Sequence, residues 1–137
     1  MVATSQPLAA VTGLRILMEG GNAVDAAIAT AAALNVVEPM STGVGGDMFA
    51  LVWDNKEKSV RALNGSGRAP GAASIDELLN KGHQSYPETG VYSVAVPGTV
   101  HGWATLLDAC GTMPMSKVLE PAINYAENGF PVSEIIS

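Results

Sequence analysis

The sequence predicts an α+β chain, and three observations carry that prediction. Between Ala23 and Val37 the only charge is Asp25, the pattern of an Ala-rich helix that shows almost nothing to water on any face. The apolar run Met48-Phe49-Ala50-Leu51-Val52-Trp53, the polar turn Asp54-Asn55-Lys56-Glu57-Lys58 and the alternating run Ser59-Val60-Arg61-Ala62-Leu63 read as a β-hairpin with its first strand central. Further helical patterns, each closed by a cap or a glycine, lie on both sides of that hairpin.

In chain order, Pro7 suits a first helical position, and Leu8, Val11, Leu14, Leu17 and Met18 recur at helical spacing until Gly20-Gly21 supplies a left-handed stop. Asn22 is the N-cap of the Ala-rich helix. Asp25, three residues on, completes a variant of the capping box and complements the positive end of the helix dipole. The helix ends at Glu38, because a residue before proline is pushed away from helical dihedrals and the glycines of the loop from Ser41 to Asp47 follow.

After the hairpin, Gly65 to Gly71 is a loop by composition, and Ser74-Ile75-Asp76-Glu77 is a capping box for a short helix ending near Lys81-Gly82. His83 to Gly90 reads as surface loop and Val91 to Val96 as another short strand. Pro97-Gly98 turns the chain into a helix from Thr99 to Cys110, stopped by Gly111, and a last helix runs from about Ser116 to Asn128 with Gly129 as its stop. Phe130 to Ser137 begins a new element, with Ser133 as its cap, so the chain reads as a single partial domain over residues 1–137.

Composition excludes several classes of function. Hydrophobic residues make up 47% of the 137 and charged ones 15%, which rules out disorder and suggests surface reserved for a partner. The net charge is −6 and the seven basic residues are scattered, so no positive patch exists to neutralise phosphates and nucleic acid is not an expected partner. No apolar run approaches the roughly 20 residues of a membrane span. Met1 to Ser5 lacks the basic start and apolar middle of a signal peptide, which makes cytoplasm the default location. Cys110 is the only cysteine and reads as a buried apolar filler, and His83 and His101 have no second ligand at metal spacing, so neither metal nor cofactor is expected.

The loop Gly43-Val44-Gly45-Gly46-Asp47 has two readings: an anion-binding nest of backbone N–H groups, or a structural turn in which Asp47 caps or hydrogen-bonds. Its glycine spacing, ahead of a strand instead of a helix, is not a nucleotide fingerprint, and the turn is favoured. Asp25 and Glu38 read as helix-end residues instead of catalytic acids. Trp53, Trp103, Phe49, Phe130, Tyr92 and Tyr125 read mostly as core, and Met18, Met40, Met48, Met113 and Met115 as gap fillers.

Taken together, Ser5 to Pro7, Gly20-Gly21-Asn22-Ala23-Val24-Asp25-Ala26-Ala27, Val37-Glu38-Pro39, Gly43-Val44-Gly45-Gly46, Phe49-Ala50-Leu51-Val52, Ala69-Pro70, Val96-Pro97-Gly98, and Pro121-Ala122 through Gly129-Phe130 resemble the amino-terminal part of the γ-glutamyltranspeptidase family, members of the N-terminal-nucleophile hydrolases. The resemblance implies a layered αββα fold of which this chain is the amino-terminal portion. It also implies a precursor that cuts itself into large and small subunits, freeing a threonine whose α-amino group activates its own hydroxyl. None of Thr4, Thr12, Thr30, Thr42, Thr89, Thr99, Thr105 or Thr112 lies in a threonine-rich cleavage motif, so the nucleophile is expected outside the chain and the segment alone is expected to be inactive. Its implied partners are the remainder of its own polypeptide or a small subunit and a γ-glutamyl small molecule such as glutathione. In isolation it is expected to oligomerise or aggregate through uncovered apolar surface.

The same resemblance makes Arg68 and Ser66 the candidate substrate-binding residues. The family motif resembles Arg-Glu-x-Ala-Pro, with its arginine holding the α-carboxylate of the glutamyl group; here Ser66-Gly67-Arg68-Ala69-Pro70 puts serine at that position and arginine two residues later. Residues two apart on an extended segment point to one side about 6.6 Å apart, a gap an arginine side chain spans. The shift leaves two other readings open: a related acylase acting on another amide, and a noncatalytic scaffold or binding module.

Overall fold

In the computed structural model, which describes residues 1–134, the elements follow in the order α1 (Pro7–Met18), α2 (Ala23–Val37), β1 (Met48–Asp54), β2 (Ser59–Gly65), α3 (Ile75–Asn80), α4 (Thr99–Cys110) and α5 (Met115–Asn128). The helix boundaries have local causes. At the start of α1, Gln6 Oε1 accepts from the N–H groups of Leu8 (2.5 Å) and Ala9 (3.1 Å), and Pro7 fills a position whose N–H has no helical partner. Gly20, at φ +95°, ends the turn after it.

The capping box of α2 is complete: Asn22 Oδ1 accepts from Val24 N–H (2.8 Å) and Asp25 N–H (3.0 Å), and Asp25 Oδ2 accepts from Asn22 N–H (2.8 Å). On α3 the box is half formed. Ser74 Oγ accepts from Glu77 N–H at 3.1 Å, but the Glu77 carboxylate turns to Lys81 Nζ at 2.7 Å. α5 begins one residue earlier than its sequence suggests, on Pro114 as N-cap, and Gly129 at φ +82° closes it.

α2 is the spine of the molecule, with nine buried residues, and α1, α4 and α5 pack around it. Gly13 lets α1 lie close: a Cβ there would stand 2.2 Å from Thr30 Oγ1 and 3.2 Å from the Ala26 carbonyl. On the other side Val118 and Ala122 of α5, with Trp103, Leu106 and Leu107 of α4, complete the main apolar cluster. The greasy helix is thus covered by this chain's own elements.

The uncovered apolar surface lies on the hairpin. Met48, Ala50, Val52 and Leu63 pack against the main cluster. The opposite face presents Phe49, Leu51 and Trp53 at 68%, 78% and 58% exposure, with Val60 paired to Trp53. This corrects the core assignment of Phe49 and Trp53, whereas Trp103 is buried and Tyr92, Tyr125 and Phe130 are half-buried. β1 pairs with β2 alone, so it is an edge strand among the described residues instead of a central one. Met18 and Met40 are likewise exposed, while Met48, Met113 and Met115 do pack on the core.

The strand expected over Val91 to Val96 does not form. Gly90 at φ +88° breaks the approach, Val91–Ser93 winds into a 3₁₀ turn, and Ser93 N–H and Oγ both donate to the Gly90 carbonyl (3.1 and 2.7 Å). Only Val96 meets an extended neighbour, donating its N–H to the Arg68 carbonyl at 3.3 Å. Phe130 packs edge-on against Tyr125, and the element that Ser133 is expected to cap runs into residues 135–137, outside the described residues. No described helix is long and apolar enough to cross a membrane.

Candidate functional site

Three loops meet beside the start of α4: residues 43–47 before β1, 65–68 after β2, and 96–99. The first is a turn in which Gly46 N–H donates to the Gly43 carbonyl at 3.1 Å. The Gly46 carbonyl in turn accepts from the N–H groups of Gly98 and Thr99, both at 3.0 Å, and so caps α4, which has no side-chain cap. Gly43, Gly45 and Gly46 all keep negative φ, so the alternating geometry of an anion nest is absent and the turn reading holds.

Asp47 bonds outside its own turn instead of capping it. Its Oδ1 accepts from Gly67 N–H at 2.8 Å, which ties the first loop to the second across 20 residues of sequence. Ser66 N–H donates to Asn64 Oδ1 at 2.9 Å, and Arg68 is held by its carbonyl through Val96. The backbones cross at glycines because nothing larger fits. A Cβ on Gly67 would sit 1.5 Å from the Val96 carbonyl oxygen, and one on Gly98 would sit 2.1 Å from that of Gly65.

The two candidate binding residues stand on this junction. Both are exposed, and the Arg68 guanidinium has no hydrogen bond or ion pair among the described residues, so its planar donor fork is free to take an anion. Ser66 Oγ makes a single long contact, 3.5 Å, with the Gly67 carbonyl. Beneath the first loop a recess of about 250 Å³ is lined by Asn35, Asp47, Met48, Thr99 and Trp103 among others, and buried Asn35 Nδ2 and Thr99 Oγ1 are unpaired there; Arg68 and Ser66 are not among its lining residues.

Asp25 keeps its place at the helix end but carries more than a cap. It is completely buried, and its carboxylate accepts from Thr112 N–H (3.0 and 3.2 Å), Thr112 Oγ1 (2.5 Å) and Met113 N–H (3.3 Å) besides Asn22. Burial opposes its ionisation, but the Thr112 hydroxyl and the N–H groups of Asn22, Thr112 and Met113 outweigh that and hold the carboxyl below the usual range. Gly111 is required beside it, since a Cβ there would be 2.9 Å from Asp25 Oδ1. Glu38 takes bonds from Ser5 Oγ (2.6 Å) and Ser41 Oγ (3.5 Å) at the surface.

Cys110 is half-buried and not the pure core filler expected. Its Sγ accepts from Arg61 Nη1 at 3.5 Å, and its carbonyl accepts from Asn22 Nδ2 at 2.6 Å. Among the described residues no three His, Cys, Asp or Glu side chains gather into a metal-holding group. Of the threonine hydroxyls, those of Thr12, Thr30 and Thr105 bond to carbonyls one helical turn back, and that of Thr112 to Asp25.

The chain is similar to known proteins in sequence and in fold. The family model described as Gamma-glutamyltranspeptidase matches residues 9–137. A glutathione hydrolase-like proenzyme of Bacillus subtilis (strain 168) is 46% identical over 97% of this chain and 25% of its own length. Among solved structures, a cephalosporin acylase from Bacillus halodurans is 51% identical with a TM-score of 0.91, over 98% of this chain and 25% of that one. A Helicobacter pylori γ-glutamyltranspeptidase is 37% identical with a TM-score of 0.90, over 98% and 39%. The fold is therefore α+β, matching part of an N-terminal-nucleophile hydrolase. With nearly the whole chain covered by the family model, the chain belongs to the γ-glutamyltranspeptidase family. It spans about a quarter, 24% to 26%, of the length of the first curated relatives it matches.

Proposed function

We propose that this chain is the scaffold and one pocket wall of an enzyme that transfers or hydrolyses γ-glutamyl amides, such as glutathione, through an acyl-enzyme on a threonine outside residues 1–137. The observation that carries the reading is the unpaired Arg68 guanidinium on a loop pinned by backbone contacts. A planar fork on a backbone held in place can make two parallel N–H···O bonds to a carboxylate, which would orient the acyl group for attack and gain more than a lysine would. Its partners in that reading are the remainder of its polypeptide, whether continuous or as a small subunit, and the location is the cytoplasm.

A second reading is favoured by the position of the arginine and by the likeness to the cephalosporin acylase: the same pocket takes another acyl amide whose carboxylate sits two residues' distance away. Turnover of a γ-glutamyl anilide and of a glutaryl amide by the full-length protein separates the two. Replacing Arg68 with alanine raises KM for the preferred donor by about 10- to 100-fold, the worth of a charge-assisted pair. An unaltered KM overturns the carboxylate role, and absence of turnover on both donors leaves the chain a scaffold.

A further inference from the structure

We infer that Asp47 is the positioning residue of the acyl-donor pocket, setting the loop that presents Ser66 and Arg68 so that affinity for a carboxylate-bearing substrate depends on its side chain. The inference rests on the carboxylate role of Arg68 and names what holds that arginine in place. Three backbone contacts fix residues 66–68: Ser66 N–H to Asn64 Oδ1 (2.9 Å), Gly67 N–H to Asp47 Oδ1 (2.8 Å) and Val96 N–H to the Arg68 carbonyl (3.3 Å). Only the second has a charged acceptor, and such bonds are roughly twice as strong as neutral ones.

Asp47 is itself anchored. The carbonyl of the preceding residue, Gly46, accepts from Gly98 and Thr99 at the N-terminus of α4, and Thr99 is 4% exposed. β1 begins at the following residue, Met48, whose side chain packs on the core. A continuous route therefore runs from a buried helix end through Gly46 and Asp47 to the amide next to Arg68. Asn64 lies outside that route and is itself exposed, and Arg68 has no side-chain contact of its own among the described residues to replace the Asp47 bond. Without the Asp47 oxygen the Gly67 N–H loses its acceptor and that peptide is held only at its flanks, by Asn64 and Val96, so a small shift there moves the guanidinium relative to a fixed carboxylate.

The test uses the full-length protein with two acyl donors, one carrying a free carboxylate and one in which it is a methyl ester. Asp47→Ala is expected to raise KM for the carboxylate donor about tenfold, with kcat within about threefold, and to leave KM for the ester unchanged. Asp47→Asn keeps an oxygen at the same place and restores KM to within about threefold. Equal loss on both donors, no loss on either, or an asparagine variant as poor as alanine overturns the inference. Arg68→Ala, run alongside, locates the failure: if it raises KM while Asp47→Ala does not, Asp47 alone is misassigned; if neither does, the carboxylate role falls and takes the inference with it. A measurement on the unmutated protein stands apart from any folding defect, because the Gly67 amide must exchange hydrogen more slowly than that of Gly71 in the same loop, and equal rates also overturn the proposal.

Discussion

Asp25 offers the most direct test of how the helical part is held together. Its carboxylate joins the first turn of α2 to the link between α4 and α5, bonding Asn22, Thr112 and Met113 from a completely buried position. Asp25→Ala removes an N-terminal capping partner, at about 1 kcal/mol, and strands at least one half-buried N–H or O–H, at about 1–3 kcal/mol more. The total is about 2–4 kcal/mol, or roughly 30- to 1000-fold faster exchange of the amides it protects. Hydrogen exchange on the full-length protein reads this locally, in peptides covering residues 22–28 and 110–116. The pH dependence supplies a second limb. The folded carboxyl lies below its unfolded value, so its contribution is complete above about pH 4 and is lost as pH falls through the folded value. Protection in both peptides, taken as the ratio of intrinsic to observed exchange rate so that the acid slowing of intrinsic exchange divides out, therefore falls on acidification in the native protein, and Asp25→Asn, better protected than Asp25→Ala at neutral pH, removes that acid component. The reasoning is refuted if Asp25→Ala exchanges within threefold of the native protein or if Asp25→Asn keeps the same acid limb.

Other outcomes follow from single contacts. Gly67→Ala places a carbon inside the Val96 carbonyl, so the loop must move, and the full-length variant is expected to lose affinity for a carboxylate donor at least as much as Asp47→Ala, measured as KM. Gly98→Ala, against the Gly65 carbonyl, displaces the start of α4 and is expected to lower the thermal midpoint as well as affinity. The isolated 137 residues are expected to sediment as oligomers or aggregates, and changing Phe49, Leu51 and Trp53 together to threonine should return most of the material to monomer; a monomeric unmodified segment would sink this attribution. Glu19→Ala, in a surface cluster with Arg15 and Lys117, should leave the unfolding midpoint unchanged within error, since exposed pairs are screened.

What the sequence made legible was whatever depends on neighbours in the chain. Asn22 and Asp25 specify a helix start by themselves, and Gly20 and Gly129 end helices because they alone accept positive φ cheaply. Val91 to Val96 failed because a strand is not a local object: its residues have β propensity, but no neighbouring strand receives their N–H groups and Gly90 turns the chain. The same limit governs the site. Arg68 and Ser66 were visible as a motif, yet the bond from Gly67 to Asp47 spans 20 residues and that from Thr112 to Asp25 spans 87. The glycines at 67, 98 and 111 were the available signal, since each marks a backbone approached too closely for a side chain. The burial of α2 was legible in its lack of charge, but not which elements cover it, since α1, α4 and α5 are brought there by the fold.

The distribution of these contacts separates what holds the helices from what holds the loop junction. The helices are fixed by buried apolar packing and by Asp25, whose bonds lie at the far end of α4 from the loop junction. The junction is fixed by carbonyls, N–H groups, the Asn64 side-chain amide and one carboxylate, with glycines where the chains cross. Side chains at Ser66 and Arg68 face outward from this crossing and bear no packing load. Exchanging them leaves no cavity and no stranded donor in the core, so under the proposed role substrate preference and stability would be set by separate residues. Asp47 is where the two meet: its backbone leads into β1, while its side chain accepts from the Gly67 N–H of the loop that carries Ser66 and Arg68. Substitution there should therefore change affinity before it changes stability, the reverse of the order expected at Asp25.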